Sequence, residues 1–240
     1  MPFYYYGFDW TYLVLVLPCV IFAFIASASV NSTFNRYSKQ LSRNRITGAE
    51  AARRVLLKNG VSGVQITRVS GNLTDHFDPR SNTIRLSDSV YDSTSTAAIG
   101  VACHEAGHAV QYANSYFPIK IRAAIIPITN IGSKLAMPLI LIGLLFTSEV
   151  ATSTSFIYAG IACFALSAVF QLITLPVEFN ASRRAMMAIK DANILTSDEQ
   201  SGARKTLTAA AMTYVAALAV SLAQLLRLIL LFGGRGRRRD

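Results

Sequence analysis

Four long apolar stretches constrain the fold of this 240-residue chain more than any other feature. Each is long enough to cross a hydrocarbon core about 30 Å thick, which takes about twenty helical residues. They cover approximately residues 11–30, 123–146, 156–177 and 209–232. Only 15% of the residues are charged and 52% are hydrophobic, which makes the chain more apolar than a typical soluble domain. We therefore expect a predominantly α-helical, multi-pass membrane protein with about four transmembrane helices in a lipid bilayer.

The first apolar stretch permits two interpretations. Ala26, Ser27 and Ala28 resemble the small-residue cleavage site of a signal peptide. Residues 1–10 contain no Lys or Arg, however, and the apolar run is long, so we favour an uncleaved anchor. The aromatic residues that precede this anchor then predict a belt at the membrane interface. They are Phe3, Tyr4, Tyr5, Tyr6, Phe8 and Trp10.

The polar segment 31–118 predicts a small α+β unit. Thr47 has the position of a helix N-cap, Glu50 follows as in a capping box, and Gly60 ends the helical pattern. Two stretches with the alternation of strands come next, "GVQITRVS" and "NTIRLSDSVY", and the turn sequence "DPRSN" separates them. The stretch "NTIRLS" could form an edge strand that binds an extended peptide, or it could simply close the sheet.

Two of the three histidines lie four residues apart in "VACHEAGHAVQ". The surrounding pattern predicts a helix that begins at a Ser or Thr cap and ends near Asn114. Positions four apart share one helix face, so His104 and His108 can bind one Zn²⁺, with Glu105 beside them. This is the H-E-x-x-H arrangement of zinc hydrolases, in which the metal acidifies a water molecule and the glutamate accepts its proton.

Two histidines require a third protein ligand. Glu178, in "LPVEFNASRRAM", is our candidate because two membrane crossings separate it from His108, which returns it to the same face. It could otherwise be a solvated carboxylate at a helix N-terminus. His76 is the alternative ligand, and as a turn residue it could instead contact substrate or be exposed. Arg183 and Arg184 are expected to face anionic lipid rather than substrate.

The Lys and Arg residues predict the orientation. They follow the first and third spans and precede the fourth, whereas the N-terminus and residues 147–155 contain none. This places the active site on the cytoplasmic side of the cell membrane. If the fourth stretch spans the membrane, the basic residues 235–239 would lie outside, against the rule that positive residues face the cytoplasm. If that stretch re-enters or lies on the surface, they would stay in the cytoplasm. The side of the C-terminus therefore stays open. Arg227 is expected to snorkel towards the interface.

We expect five segments along the chain. The first is the aromatic belt and anchor, the second the cytoplasmic α+β segment with the HEAGH helix, and the third a transmembrane hairpin. The fourth carries the third ligand, and the fifth is the last apolar helix with its basic tail. Their predicted bounds are 1–30, 31–118, 119–177, 178–207 and 208–240.

Three stretches carry a resemblance to a known family. "DHFDPRSNTIRLSDSVYDSTSTAAIGVACHEAGHAVQ", "LPVEFNASRRA" and the opening "MPFYYYGFDWTYLVLVLPCVIFAFIAS" resemble the YugP-type neutral zinc metallopeptidases, which are bacterial membrane proteins. The chain is more distantly similar to the HtpX-type membrane proteases. The resemblance implies a gluzincin-like unit with His104, His108 and Glu178 as zinc ligands and Glu105 as catalytic base. Aspartate is usual in the family where this chain has Asn180, and an amide adds no charge to support a ligand.

These patterns together predict a membrane zinc metalloendopeptidase that acts on protein or peptide substrates associated with the membrane. His76 and Asn180 are candidates for contacts with the ligands or the substrate. A scaffold that keeps zinc without turnover is one alternative, although it would not need Glu105. A transporter is another, which the few ionisable residues in the spans, Lys134 and Arg227, disfavour. The net charge of +10 is typical of positive membrane loops, so no nucleic acid partner is expected.

Overall fold

The chain is mostly helical in a computed structural model that describes residues 4–5, 8–145 and 150–233. Among the described residues, four helical segments are long and apolar enough to cross a membrane, as expected. The helices concerned are α1 (Leu17–Tyr37), which continues a π-helical segment (Tyr12–Val16), and then α4 (Phe117–Leu145), α5 (Val150–Asp191) and α6 (Gln200–Phe232). The shorter helices are α2 (Gly48–Lys58) and α3 (Thr96–Ala113).

The chain divides into two compact units. The first comprises Met1–Ile25, Ile121–Thr174 and Thr213–Asp240, and the second comprises Ala26–Lys120 and Leu175–Met212. Helices α1, α5 and α6 each contribute residues to both units. The second unit therefore combines the polar segment between the first two spans with the segment that follows the third.

Helices α4 and α5 approach each other closely in the first unit. A Cβ atom added at Gly160 would lie 2.7 Å from the carbonyl oxygen of Ala136, and one at Gly143 would lie 2.8 Å from that of Ser153. Small residues at such positions let membrane helices pack backbone against backbone. Helix α4 also continues through Pro127 and Pro138, which membrane helices tolerate.

An ion pair joins the beginning of the first unit to its end. Strands β1 (Tyr4–Tyr5) and β2 (Phe8–Asp9) pair antiparallel, and Nε of Arg227 donates a hydrogen bond of 2.8 Å to the Asp9 carboxylate. The side chains of both Asp9 and Arg227 are 19% exposed, and the guanidinium also lies over the Tyr12 ring. The sequence did not predict this counterion, which stabilises a charge removed from water; that Arg227 snorkels to the interface stays a prediction.

The second unit contains the predicted helix, sheet and helix. Thr47 caps α2 by accepting a 3.2 Å hydrogen bond from the backbone of Glu50, as the capping pattern predicted. Ser95 caps α3 in the same way through the backbone of Ala98, and α3 ends before Asn114. Between them lies a three-stranded sheet in the order β3-β5-β4. Its strands are β3 (Gln65–Val69), β4 (His76–Asp78) and β5 (Thr83–Ser87).

The strand "TIRLS", β5, is central in the sheet, so the expectation of an edge strand at this position was wrong. It pairs parallel with β3 on one side and antiparallel with β4 on the other, and Ile84 and Leu86 are fully buried. His76, expected to be a turn residue, is instead the first residue of strand β4, "HFD". Phe77 of β4 contacts Tyr112 of α3 edge-on, with ring centroids 5.9 Å apart. A peptide that extended the sheet next to α3 would therefore pair with β4.

Candidate metal centre

Helix α3 places His104 and His108 on one face, as their spacing predicted. The two imidazole rings are 4.6 Å apart between centroids and nearly perpendicular. The helix is buried along most of its length by small residues that allow neighbouring helices to approach. The two histidines are consequently held among packed elements, and their side chains are only 14% and 11% exposed.

Glu178 completes the cluster from α5. Its Oε2 atom lies 3.2 Å from Nε2 of His104 and 3.5 Å from Nε2 of His108, and its side chain is 2% exposed. Gly107 permits this approach, because a Cβ atom at that position would lie 2.7 Å from the carbonyl oxygen of Ala181 on α5. The glycine within HEAGH thus allows α3 and α5 to approach closely enough for the ligand atoms to meet.

The three side chains fit a zinc ion by their geometry and by their chemistry. One ligand atom from each of His104, His108 and Glu178 lies within 4.8 Å of the other two. Tetrahedral zinc with ligands at about 2.0–2.1 Å requires neighbouring ligand atoms to be about 3.3 Å apart. The two distances between Glu178 and the histidines match that spacing. Two imidazoles and one carboxylate also form a donor set that leaves a coordination position open for catalysis.

The outer nitrogens of both histidines are hydrogen-bonded. The Ser182 hydroxyl lies 3.1 Å from Nδ1 of His104, and Oε1 of Gln111 lies 3.0 Å from Nδ1 of His108. Contacts of this kind fix the ring orientation of metal-binding histidines and leave the other nitrogen for the ion. In both rings the other nitrogen is Nε2, and both Nε2 atoms point to Glu178.

Glu105 is buried beside the cluster and is not one of its members. None of the described residues forms a hydrogen bond with its side chain, so its carboxylate is available to a water molecule or substrate. Burial lowers the pKa of His108, but a hydrogen bond with Glu178 and the negative charges of Glu105 and Glu178 outweigh it, so this pKa is raised. The negative charge of Glu105 therefore acts on His108, a member of the metal-binding cluster.

His76 lies outside the metal-binding cluster, whereas Asn180 contacts Gln111, a partner of His108. His76 is exposed at the start of β4, where Nδ1 lies 2.8 Å from the Thr74 carbonyl oxygen, and it is not a member of the cluster. Asn180 lies one contact away from a ligand, because its Oδ1 accepts hydrogen bonds from Gln111 at 3.0 Å and from Arg184 at 2.8 Å. Arg184 therefore contacts the surroundings of the site, and its expected contact with anionic lipid stays a prediction.

Comparison with known proteins agrees with the donor set. The family model described as "Putative neutral zinc metallopeptidase" matches residues 12–233, nearly the whole chain. The chain belongs to this family. A relative from Bacillus subtilis (strain 168), described as "Putative membrane protease YugP", is 43% identical over 221 residues, which cover 92% of this chain and 96% of the relative. No solved structure matches the chain.

Two partners of the histidines were not predicted from the sequence. Gln111 follows His108 by three residues, and Ser182 follows Glu178 by four. Both intervals place side chains on one helix face, so the helical spacing that identified the histidines could also have identified these two residues. Gln111 stands at the end of the quoted stretch "VACHEAGHAVQ", but its role depends on the position of α5.

Proposed function

We propose that this protein is a zinc metalloendopeptidase that hydrolyses protein or peptide substrates at the membrane surface. The observation that carries the proposal is the cluster of His104, His108 and Glu178 with the carboxylate of Glu105 beside it. A glutamate ligand downstream of H-E-x-x-H is a gluzincin-like arrangement. The family and the apolar helices support a membrane protease in general terms.

The residues divide the chemistry between binding and proton transfer. His104 and His108 would hold the ion through Nε2, and Glu178 through its carboxylate. Bound zinc supplies a Lewis acid that polarises a carbonyl group and lowers the pKa of water towards about 7. Glu105 accepts the proton of the attacking water and delivers it to the leaving amine. A scaffold that only bound zinc would need no free carboxylate at this position.

Removal of zinc tests the proposal. Purified protein in detergent, treated with a chelator such as 1,10-phenanthroline, is expected to lose hydrolysis of an unstructured peptide and to regain it when Zn²⁺ is added. The peptide is compared free in solution and fused to a membrane anchor, and the anchored form is expected to be cleaved faster. Hydrolysis that persists in zinc-free protein would contradict the proposed chemistry, and equal rates for both peptides would contradict the preference for membrane-associated substrates.

We further propose that the metal centre faces the cytoplasm. The Lys and Arg residues that follow the first and third spans and precede the fourth support this orientation. The ion pair of Asp9 and Arg227 brings the start of the first span next to the end of α6. This favours four complete crossings, in which the end of α6 would lie on the same side of the membrane as the start of the first span.

Cysteine labelling measures this orientation. Leu57 lies on α2 and is 70% exposed, so a Leu57→Cys variant presents a thiol on the same side of the membrane as α3. A membrane-impermeant maleimide is expected to label it in inside-out vesicles and not in intact cells, with the unsubstituted chain as control. Labelling in intact cells would place the metal centre outside.

A further inference from the structure

Three hydrogen-bonded side chains lead from α5 to His108. Nε of Arg184 donates a 2.8 Å hydrogen bond to Oδ1 of Asn180. Nε2 of Gln111 donates to the same oxygen at 3.0 Å and to the carbonyl oxygen of Val177 at 2.8 Å. Oε1 of Gln111 then lies 3.0 Å from Nδ1 of His108. We call Arg184, Asn180 and Gln111 the amide relay.

The chemistry of the donors gives the amide relay one direction. A guanidinium group can only donate hydrogen bonds, so the Asn180 atom that faces Arg184 must be its oxygen. Because that oxygen and the Val177 carbonyl can only accept, the Gln111 atom that faces them must be its NH₂ group. The remaining Gln111 atom is its oxygen, which can only accept a hydrogen bond. Nδ1 of His108 must therefore carry the proton.

The partner of His108 permits one tautomer, whereas the partner of His104 permits both. A serine hydroxyl can donate or accept, so Ser182 is compatible with either tautomer of His104. Gln111 is fully buried, and a buried polar group cannot exchange its partners for water without cost. The tautomer of His108 is consequently set by Gln111, whereas that of His104 is not set by Ser182.

We propose that Gln111 is a positioning residue that holds His108 as the Nδ1–H tautomer and thereby keeps its Nε2 available to bind the metal. Loss of the Gln111 oxygen removes the acceptor at Nδ1, and the proton of His108 can then move to Nε2, which faces the Glu178 carboxylate. A protonated Nε2 cannot bind zinc. The proposal rests on the proposed function only for the identity of the ion.

The tautomer can be measured in the metal-free protein. The chain contains three histidines, so full-length protein labelled with ¹⁵N-histidine should give three resolvable rings in a long-range ¹H–¹⁵N correlation spectrum in detergent. At a pH where the rings are neutral, His108 of the wild type is expected to show a protonated Nδ1. Gln111→Leu, which removes the acceptor at Nδ1, is expected to show a mixture of both tautomers. Arg184→Met is expected to keep the wild-type tautomer, because the Val177 carbonyl still orients the Gln111 amide.

Zinc affinity is the second measurement, by competition with a chromogenic chelator. Gln111→Leu is expected to lower the affinity by about 10–100-fold, the usual effect of removing a partner of a ligating histidine. Arg183→Met removes a nearby exposed charge and serves as the control, with neither the tautomer nor the affinity changed. If Gln111→Leu does not fold, Gln111→Met, which has nearly the same shape and no strong acceptor, should show the same mixture of tautomers.

A wild-type tautomer in both Gln111→Leu and Gln111→Met would overturn the proposal. So would a loss of zinc affinity in Arg183→Met equal to that in Gln111→Leu, because a general disturbance of the fold would then explain both. Failure of the proposed function is distinguishable, since a protein without zinc or hydrolysis would still show in these spectra whether Gln111 sets the tautomer.

Discussion

Zinc in the purified protein is expected to fall from about one ion per chain to nearly none in Glu178→Gln. Glutamine fills almost the same volume as glutamate, so the buried position is not emptied and the loss reports the missing charge rather than a cavity. The Oε2 atom of Glu178 is the one atom close to Nε2 of both histidines, at 3.2 and 3.5 Å. Two neutral imidazoles alone provide an incomplete site.

His76→Ala is the control for the zinc measurement, because His76 is exposed and outside the cluster. This variant is expected to keep its zinc, as measured by inductively coupled plasma mass spectrometry on protein purified in detergent. Zinc that survives Glu178→Gln and is lost in His76→Ala would mean that the ligand set is different from the one proposed here.

Peptide hydrolysis is expected to fall by at least about 10²–10⁴-fold in Glu105→Gln, the range typical of a lost general base. Glutamine has nearly the same shape, but its amide cannot accept the proton of the attacking water. Zinc content should remain that of the wild type, because Glu105 is not a member of the metal-binding cluster. The combination of lost turnover and retained metal separates a catalytic role for Glu105 from a role in binding the ion.

Glu50→Gln provides a matched control for the loss of a carboxylate. Glu50 lies on α2 in the same unit, and its exposed side chain binds Arg53 and Arg54 rather than the cluster. Its activity should equal that of the wild type. Unchanged hydrolysis in Glu105→Gln would exclude Glu105 as the base, and loss of zinc would indicate that it supports the metal site instead.

Features encoded by local sequence were predictable. The apolar stretches identified the four long helices because their length and composition alone suffice for a membrane span. The helix of the H-E-x-x-H motif was predicted with its Ser or Thr cap and its end near Asn114, because caps and periodicity are properties of neighbouring residues. Thr47 was identified as the cap of α2 for the same reason.

Features that depend on distant contacts were not predictable. Strand β4 has three residues and acquires its structure by pairing with β5, so the sequence shows a turn where the sheet has an edge. Helix α5 continues to Asp191, far beyond its apolar part, because packing in the second unit stabilises the polar end. The sequence gives no signal for the order of strands in the sheet.

In the candidate site, too, locally encoded features were predictable and distant contacts were not. The histidine spacing on α3 is local, and the counting of membrane crossings placed Glu178 on the correct side as the candidate partner. The amide relay needs the close approach of α3 and α5 at Gly107, and the helical spacing of Gln111 and Arg184 does not predict which helix lies opposite. The pairing of Asp9 with Arg227 joins residues 218 positions apart in the chain, beyond the reach of any periodic pattern.

That pairing also has a consequence for biosynthesis. Asp9 leaves the ribosome first and precedes the first membrane span, whereas Arg227 lies in the last turns of α6. The Asp9 carboxylate therefore lacks this counterion until nearly the whole chain has been translated and the fourth helix has been inserted. Chains that stop short of Arg227 keep this carboxylate without the counterion that stabilises it in the complete fold.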